Sequence, residues 1–403
     1  MSHANLSVFV PHIGCPNRCS FCDQHTISGS RCAPTPQQVQ QLCTQAMQQR
    51  SGQLNNTQLA FFGGSFTAIE REYMLSLLQA AQPFLGKDGF AGIRISTRPD
   101  AVDEPMLDCL QQYGVNTIEL GAQSMSDRVL ACNGRGHTAE QVADASRRIR
   151  ARGIELGLQM MTGLYGATRQ DDIDTAHLLA QLQPSTVRIY PTITLQGTML
   201  ERLYRAGEYQ PMQLEEAVEE CSELLYFFEN QGIRVIRMGL HAQESLEQGY
   251  VAGPYHPAFR ELCEGRLYLQ QALRQIQRFP EGTALRVCVA PNALSKMAGQ
   301  HRCNLQRMQQ RNPVKIRARS GLQPFEVLVM TEQRWQEEKN GCRLNAFLRM
   351  WSGKTDRPCR IILHQMHRFS GTAPTNVSQR RNLSISTVTI PAAGKGLSSD
   401  WSR

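Results

Sequence analysis

Across its first 240 residues the chain alternates short β-rich runs with longer helical stretches, six times over. The runs are LSVFVPH (6–12), TQLAFF (57–62), GIRIS (92–96), VNTIEL (115–120), IELGLQM (154–160) and TVRIYP (186–191). Helical patterns separate them at 36–50, 69–84, 101–113, 138–152 and 170–182, and a sixth at 212–231 follows the last run. Parallel strands cannot be joined by tight turns, so βα units in series imply a parallel sheet with right-handed crossovers. Six units rather than eight imply an open or partial (β/α)6 barrel, with chemistry expected in the loops that follow the strands.

The pattern continues through IRVIRMGL, a helix near 257–277, ALRVCVAP, a helix near 293–309, VKIRAR and PFEVLV. These segments form a small appended layer or extend the edge of the sheet. Past about residue 330, Ser, Thr, Arg and Gly rise and periodicity fades, the composition of a disordered segment. The expected division is a core domain over 1–240, an α/β extension over 241–330 and a basic tail of low order over 331–403.

Charge follows the same division. The net charge is +8, and residues 331–403 hold 12 Lys+Arg against 5 Asp+Glu, whereas the first 330 residues hold 31 against 30. On that partition the surplus belongs to the tail and does not mark the main domain as a nucleic-acid binder. No apolar run is long enough to span a membrane, and the N-terminus lacks the pattern of a secretory signal, so a cytoplasmic protein without a membrane partner is expected. Of 13 cysteines only Cys15, Cys19 and Cys22 cluster tightly, which in a cytosolic chain reads as metal or redox chemistry rather than a disulfide framework.

The cluster is Cys15-Pro-Asn-Arg-Cys19-Ser-Phe-Cys22, directly after the first strand. A C-x3-C-x2-C loop can place three thiolates on three irons of one [4Fe-4S] cubane. Most such clusters take four cysteines, so three leave one iron open. S-adenosylmethionine (SAM) can chelate that iron through its amino and carboxylate groups and be cleaved reductively to a 5′-deoxyadenosyl radical, the cofactor's chemistry rather than the protein's. Phe21 would shield the cluster edge and face the adenine. The alternative is a zinc site completed by His12, His25 or Cys32, although zinc knuckles usually pair two-ligand halves across a spacer.

Further candidates fall at the later strand ends. Gly63-Gly64-Ser65-Phe66-Thr67 follows the second strand, and paired glycines let backbone approach a ligand such as the SAM ammonium. Ser96, Thr97 and Arg98 follow the third strand, and Gln123 and Ser124 the fourth. Gln159 lies in the fifth strand, Tyr190 ends the sixth, and Arg135 and His137 sit in Asn-Gly-Arg-Gly-His. An arginine near SAM would pair bidentately with the methionine carboxylate. His241, Tyr250, Tyr255 and His256, in a loop rich in Pro and Gly, are candidates for substrate contact or simple surface residues.

Together, Cys15–Cys22, Gly63-Gly64-Ser65-Phe66, Thr97-Arg98-Pro99-Asp100, Glu119-Leu120-Gly121-Ala122-Gln123-Ser124, Arg135-Gly136-His137-Thr138 and Ile189-Tyr190-Pro191-Thr192 resemble the radical SAM core of the elongator catalytic subunit family. The resemblance runs in order over about residues 8–240, and the same core is similar to that of oxygen-independent coproporphyrinogen oxidases. It implies a [4Fe-4S] cluster on the three cysteines and SAM contacts for Gln123, Arg135 and Gln159. It also implies an external reductant such as flavodoxin or ferredoxin, and an RNA base, a tRNA base first, as substrate. A small-molecule or tetrapyrrole-related substrate is the alternative from the second family, and a non-catalytic Fe–S or zinc protein that keeps the barrel is the alternative outside enzymes. Two positions depart from the pattern. Ser96 stands where the elongator subunit has glutamate before Thr-Arg-Pro-Asp, and Gln159 where coproporphyrinogen oxidases have aspartate. No acetyltransferase pattern follows residue 240, and the cysteine loop begins too early for the N-terminal extension that helps hold tRNA in that family.

Overall fold

A computed structural model describes residues 4–10, 15, 19–23, 26–27, 32–49, 54–241 and 243–340. Strands β1 (Ala4–Val10), β2 (Thr57–Gly63), β3 (Ile93–Thr97), β4 (Val115–Gln123), β5 (Glu155–Thr162) and β6 (Thr186–Pro191) match the six β-rich runs to within a few residues. Helices separate them where the periodicity predicts, among them Pro36–Gln49, Glu104–Gln112, Ala139–Ala151 and Arg169–Gln181. Their starts are written in the sequence. Thr138 with Gln141 and Thr168 with Asp171 form reciprocal capping boxes, and the Asp103 side chain accepts from the Met106 amide, satisfying donors that a helix N-terminus leaves open.

Strand β7 (Thr194–Leu195) leaves the sheet, but β8 (Arg234–Met238), the IRVIRM segment, returns to it beside β6. The sheet therefore has seven strands in the order β1-β2-β3-β4-β5-β6-β8, all parallel. This partial α/β barrel extends the expected six units by one strand. Apolar side chains such as Phe61, Ile95, Leu120, Leu158, Val187 and Val235 alternate outward into one core shared with the helices. Alternate positions of the same strands point into the barrel and include the polar side chains of Arg94, Glu119, Gln159 and Arg188, a pattern parallel sheets rarely show and a mark of a functional interior.

β7 pairs antiparallel with β9 (Tyr250–Ala252), and β10 (Leu285–Val289), β11 (Val314–Ala318) and β12 (Leu328–Thr331) form a separate three-stranded sheet in the order β11-β10-β12. The helix Phe259–Ile276 serves both cores: Phe259, Cys263 and Leu267 face the barrel, while Tyr268, Ala272 and Ile276 face the small sheet. The helix expected near 293–309 is broken into Leu294–Ala298 and Cys303–Gln309 by Gly299.

Two expectations change here. The low-order tail does not begin at 331, because residues 332–338 are helical and bring Glu332 onto Arg286 and Glu338 onto Arg319 at 2.8 Å. The remainder of the expected tail, 341–403, lies outside the described residues. The charge partition at 330 also conceals a sharper one. Residues 271–330, which contain the small sheet, hold 10 Lys+Arg against 2 Asp+Glu, leaving residues 1–270 with 21 against 28. Within that basic layer Arg286, Lys296 and Arg319 are ion-paired. The other seven, including Arg302, Arg307, Arg311, Lys315 and Arg317, are exposed. No helix among the described residues is long and apolar enough to cross a membrane.

Candidate active site

The loop after β1 is fixed to the opposite side of the rim. Ser20 donates its amide to the Asn133 carbonyl at 3.0 Å and its hydroxyl to Asn133 Oδ1 at 2.6 Å, while Ser20 O accepts from the Leu200 amide at 2.8 Å. Cys19 and Phe21, both nearly buried, pack with Val129, Leu164, Leu200 and Tyr209. Phe21 thus helps to form an apolar wall beside the cysteine loop, which excludes water from it.

A polar chain meets that wall. Asp100 receives two 2.8 Å hydrogen bonds from Arg98, whose Nη2 also donates to the Arg135 carbonyl at 2.6 Å. Arg135 in turn donates from Nη1 to Cys19 Sγ at 3.1 Å and from Nη2 to the Gly121 carbonyl at 2.6 Å. The Thr-Arg-Pro-Asp and Arg-Gly-His motifs are therefore one device. An arginine is buried, fixed by a carboxylate, and used to hold a second arginine against a thiol. Burial would raise the Asp100 carboxyl, but the hydrogen bond and charge of Arg98 hold it below its ordinary value. Burial also pushes the Cys15 thiol up, opposed by the Ser65 amide and by the charges of Arg98 and Arg135. Those two guanidiniums favour thiolate, the form that ligates metal. His137, hydrogen-bonded at 3.2 Å to the Ala122 carbonyl, is held down at about 4 by burial and by Arg135, so it is neutral at pH 7.

The Gly-Gly loop sits against β1. Gly63 has φ +118°, and a Cβ there would lie 2.6 Å from the Val10 carbonyl oxygen, which only glycine accommodates. Gly64 donates to the same oxygen at 2.9 Å. Ser65 Oγ accepts from the Arg98 amide at 3.1 Å, and Thr67 Oγ1 meets Thr97 Oγ1 at 2.5 Å. Ser65 and Thr67 thus tie the ends of β2 and β3 together. Gln123 ends β4 in the left-handed region at φ +67°, and its buried Oε1 has no hydrogen-bond partner among the described residues. Strain and an orphaned acceptor at one rim position are what a ligand-binding residue shows.

Ser96, Gln159 and Tyr190 lie apart from this group, inside the barrel. Gln159 Nε2 donates to Glu119 Oε2 at 2.9 Å and to Ser96 Oγ at 3.3 Å. Glu119 lies between Arg94 at 2.8 Å and Arg188 at 2.6 Å, and Arg188 stands 4.9 Å from the centre of the Phe62 ring. Tyr190 is close enough to Arg188 to hydrogen-bond it. Burial would raise Glu119, but the charges and hydrogen bonds of Arg188 and Arg94 hold it below its ordinary value. The two positions that depart from the family pattern, Ser96 and Gln159, are thus neighbours bound to a common carboxylate. Sequence reading quoted Glu119 without a role and missed Arg94, Arg188 and Arg237. Their signal is an arginine set inside an otherwise apolar strand run, as in GIRIS, TVRIYP and IRVIRM.

The loop at 241–260 divides. Tyr250 donates to the Gly253 carbonyl at 2.6 Å and stands 5.7 Å from Tyr255, while His256 turns outward to line a cavity of about 280 Å³ with Leu214, Val218 and Leu262. His241 instead faces Arg237 and Arg188. A separate cavity of about 810 Å³ lies outside the barrel near Tyr165 and Tyr209, over the buried carboxyls of Asp172 and Glu220.

Among the described residues no three His, Cys, Asp or Glu side chains are gathered tightly enough to hold a metal ion. The fit of an iron–sulfur cluster is therefore judged from donor chemistry. Cys15 and Cys19 are close enough to act on each other electrostatically, beside two guanidiniums and a water-excluding wall. That set suits an anionic thiolate cluster. The orphaned Gln123 acceptor suits a polar cosubstrate at the same rim, and the missing side chain of Gly121 lets Gln123 and Arg135 pack directly over its backbone.

The comparisons with known proteins agree with this geometry. Residues 9–179 match the model of the radical SAM superfamily, and residues 184–268 that of a radical SAM C-terminal domain. The chain is 29% identical over 210 residues to an uncharacterized protein of Methanocaldococcus jannaschii, covering 50% of this chain and 64% of that one. It is 28% identical over 188 residues to a tRNA uridine(34) acetyltransferase of the same organism, covering 42% of this chain and 35% of that one. The archaeal Methanocaldococcus infernus Elp3 with an N-terminal deletion superposes with a TM-score of 0.52 at 20% identity, covering 66% of this chain and 63% of that chain. The chain thus spans between about a third and two thirds of the length of these relatives. With the cysteine loop, the seven-stranded half-barrel and two adjoining matches in register along it, the chain belongs to the radical SAM superfamily of enzymes.

Proposed function

We propose that this protein cleaves SAM reductively at a [4Fe-4S] cluster held by Cys15, Cys19 and Cys22, and directs the resulting chemistry at an RNA base. When bound, cluster and SAM supply a 5′-deoxyadenosyl radical after one electron arrives from an external reductant such as flavodoxin or ferredoxin. The carrying observation is the chain Asp100–Arg98–Arg135–Cys19, which delivers two positive charges to the thiols at the C-terminal rim of a parallel half-barrel.

The chain's own residues do four things in this reading. Arg98 and Arg135 stabilise thiolates. Phe21, Val129, Leu164 and Tyr209 exclude water. Gly63 and Gly64 admit backbone close to the cosubstrate, and Gln123 offers it a buried acceptor. The Glu119 network keeps the barrel interior polar and rigid beneath them. Ser96, Gln159 and Tyr190, also read from the sequence as cosubstrate contacts, line that interior, where Gln159 donates to Ser96 and Glu119.

Support for RNA comes from the basic layer at 271–330, with seven exposed cations and two acidic residues. A relative named as a tRNA uridine(34) acetyltransferase points the same way. Anaerobic reconstitution, iron and sulfide analysis and detection of 5′-deoxyadenosine with dithionite and SAM test the chemistry. Loss of both cluster and product in Cys19→Ala supports it, and zinc in place of iron sinks it. For the substrate, RNA affinity should fall steeply with salt, and Lys315→Gln with Arg317→Gln should lower the slope by about 2. A salt-independent affinity removes RNA as the substrate.

A further inference from the structure

The inward face of β6 and β8 carries an imbalance of charge that no described residue resolves. Arg188 and Arg237 are register partners on adjacent parallel strands, just past an irregularity that skips Ile236, and they lie near enough for the charge of Arg188 to act on Arg237. Like charges directly opposed across a strand pair are destabilising. The carboxylate nearest them, Glu119, is already shared between Arg188 at 2.6 Å and Arg94 at 2.8 Å and also accepts from Gln159. Glu155 lies 3.9 Å from Arg94 and is partly exposed. Arg188, the neighbour of Arg237, therefore already shares its one fully buried carboxylate with Arg94.

Arg237 is the one left over. Its Nε donates to the Gly239 carbonyl at 2.8 Å, and among the described residues it makes no ion pair. Its two terminal nitrogens, four N–H donors in a planar fork, are committed to no other described residue. Burial and the charges of Arg188 and Arg260 work against its protonation, while Tyr190 lies near enough to favour it. His241, lowered by burial and by Arg237 and Arg188, adds a neutral imidazole to the same place. Arg188 itself is held rigid by Glu119 and by the face of Phe62. β8 is the edge strand of the half-barrel, so this cluster borders its open side.

We propose that Arg237, with Arg188 and His241 beside it, is an anion clamp that receives a carboxylate or phosphate group of the substrate at the open edge of the barrel. This rests on the barrel interior being the reaction chamber. A planar fork beside a second fixed guanidinium suits the bidentate geometry of either oxyanion. An anion there would neutralise the opposed pair and set the depth to which a substrate enters. Phosphate would come from a nucleotide backbone, carboxylate from a small organic acid.

The test is anion titration of the cluster-reconstituted full-length protein, without SAM or RNA, by calorimetry. The probes are inorganic phosphate and succinate. At least one should bind in the millimolar range, and Arg237→Gln should weaken it by about tenfold or more. Arg237→Lys should recover part of the affinity, which a purely structural tie to Gly239 would not require. Thermal melts separate binding loss from misfolding, and Arg237→Gln is preferred to Arg188→Gln because the latter removes one of the two arginines paired with Glu119. Phosphate binding lost in the variant supports the clamp with a nucleotide source. Succinate binding lost in the variant supports the clamp with an organic acid, and counts against RNA while leaving the clamp standing. Absence of binding by both probes, or isotherms unchanged in Arg237→Gln, overturns the clamp and leaves the RNA reading untouched.

Discussion

Arg135 donates to Cys19 Sγ at 3.1 Å while its backbone carbonyl is held by Arg98 at 2.6 Å. The guanidinium thus faces the thiol from a fixed point, and it cannot swing away without breaking its 2.6 Å bond to Gly121. Partners behind metal ligands typically set about 10–100-fold in metal affinity. Arg135→Gln should therefore reconstitute with the same iron content in excess iron but lose it at least about tenfold faster to a chelator. Lysine, a point charge that cannot bridge Gly121 and Cys19 together, should rescue only part of this. Iron release followed by absorbance decides it.

Glu119 anchors the barrel interior through two arginines. Glu119→Gln leaves Arg188 without a counter-charge among the described residues and Arg94 with only the partly exposed Glu155 at 3.9 Å, which costs about 3–5 kcal/mol. Its carboxyl is held below the ordinary 4.5, so its contribution is present above that value and is lost as pH falls through the lower, folded-state value. Urea melts should show the wild-type protein losing this stability in acid and the variant lacking that part of the pH dependence.

Asp172 behaves in the opposite sense. Burial, and then the neighbouring Glu220, push it up to about 9 from 3.8, so the folded state keeps its proton at neutral pH. An acid raised on folding stabilises below its unfolded value and loses that contribution as pH rises through the folded one. Asp172→Asn keeps an acceptor for the Gly163 amide, 2.8 Å away in the native protein, and removes the proton exchange. It should flatten the decline in stability between about pH 5 and pH 8 by roughly 1 kcal/mol or more. Thermal melts across that range would reveal a slope unchanged by the substitution if the carboxyl is ionised when folded.

Gly63→Ala tests the Gly-Gly loop. Its Cβ would meet the Val10 carbonyl at 2.6 Å, between backbone and backbone, with no side chain able to yield. Stability should fall by about 2 kcal/mol, and SAM binding by equilibrium dialysis should weaken because β2 and β1, the strand that leads into the cysteine loop, are displaced together. Normal SAM binding in a destabilised variant would dissociate the loop from the cosubstrate.

Much of this was legible in the sequence because the elements announce themselves locally. Thr138 and Thr168 cap their helices with residues three positions away, and VNTIEL or TVRIYP are strands by composition. The three cysteines and the Arg98-Pro99-Asp100 turn were equally plain. Tertiary pairings were not. That Ser96 and Gln159 share Glu119, or that IRVIRM returns to β6, depends on register across strands many residues apart. Arg188 and Arg237 were passed over because alternation in parallel strands reads as one face to solvent, whereas here it faces an interior. The basic layer was hidden by drawing the charge boundary at the change in composition rather than at the small sheet.

The strand that presents the cysteine loop, β1, has a neighbour on one side only. It is nonetheless firmly seated, paired with β2 over seven residues and with Val8 and Val10 in the core. The cysteine loop thus leaves a border strand and is tied across the rim to Asn133 and Leu200, so changes at those contacts reach the cysteines without passing through the sheet.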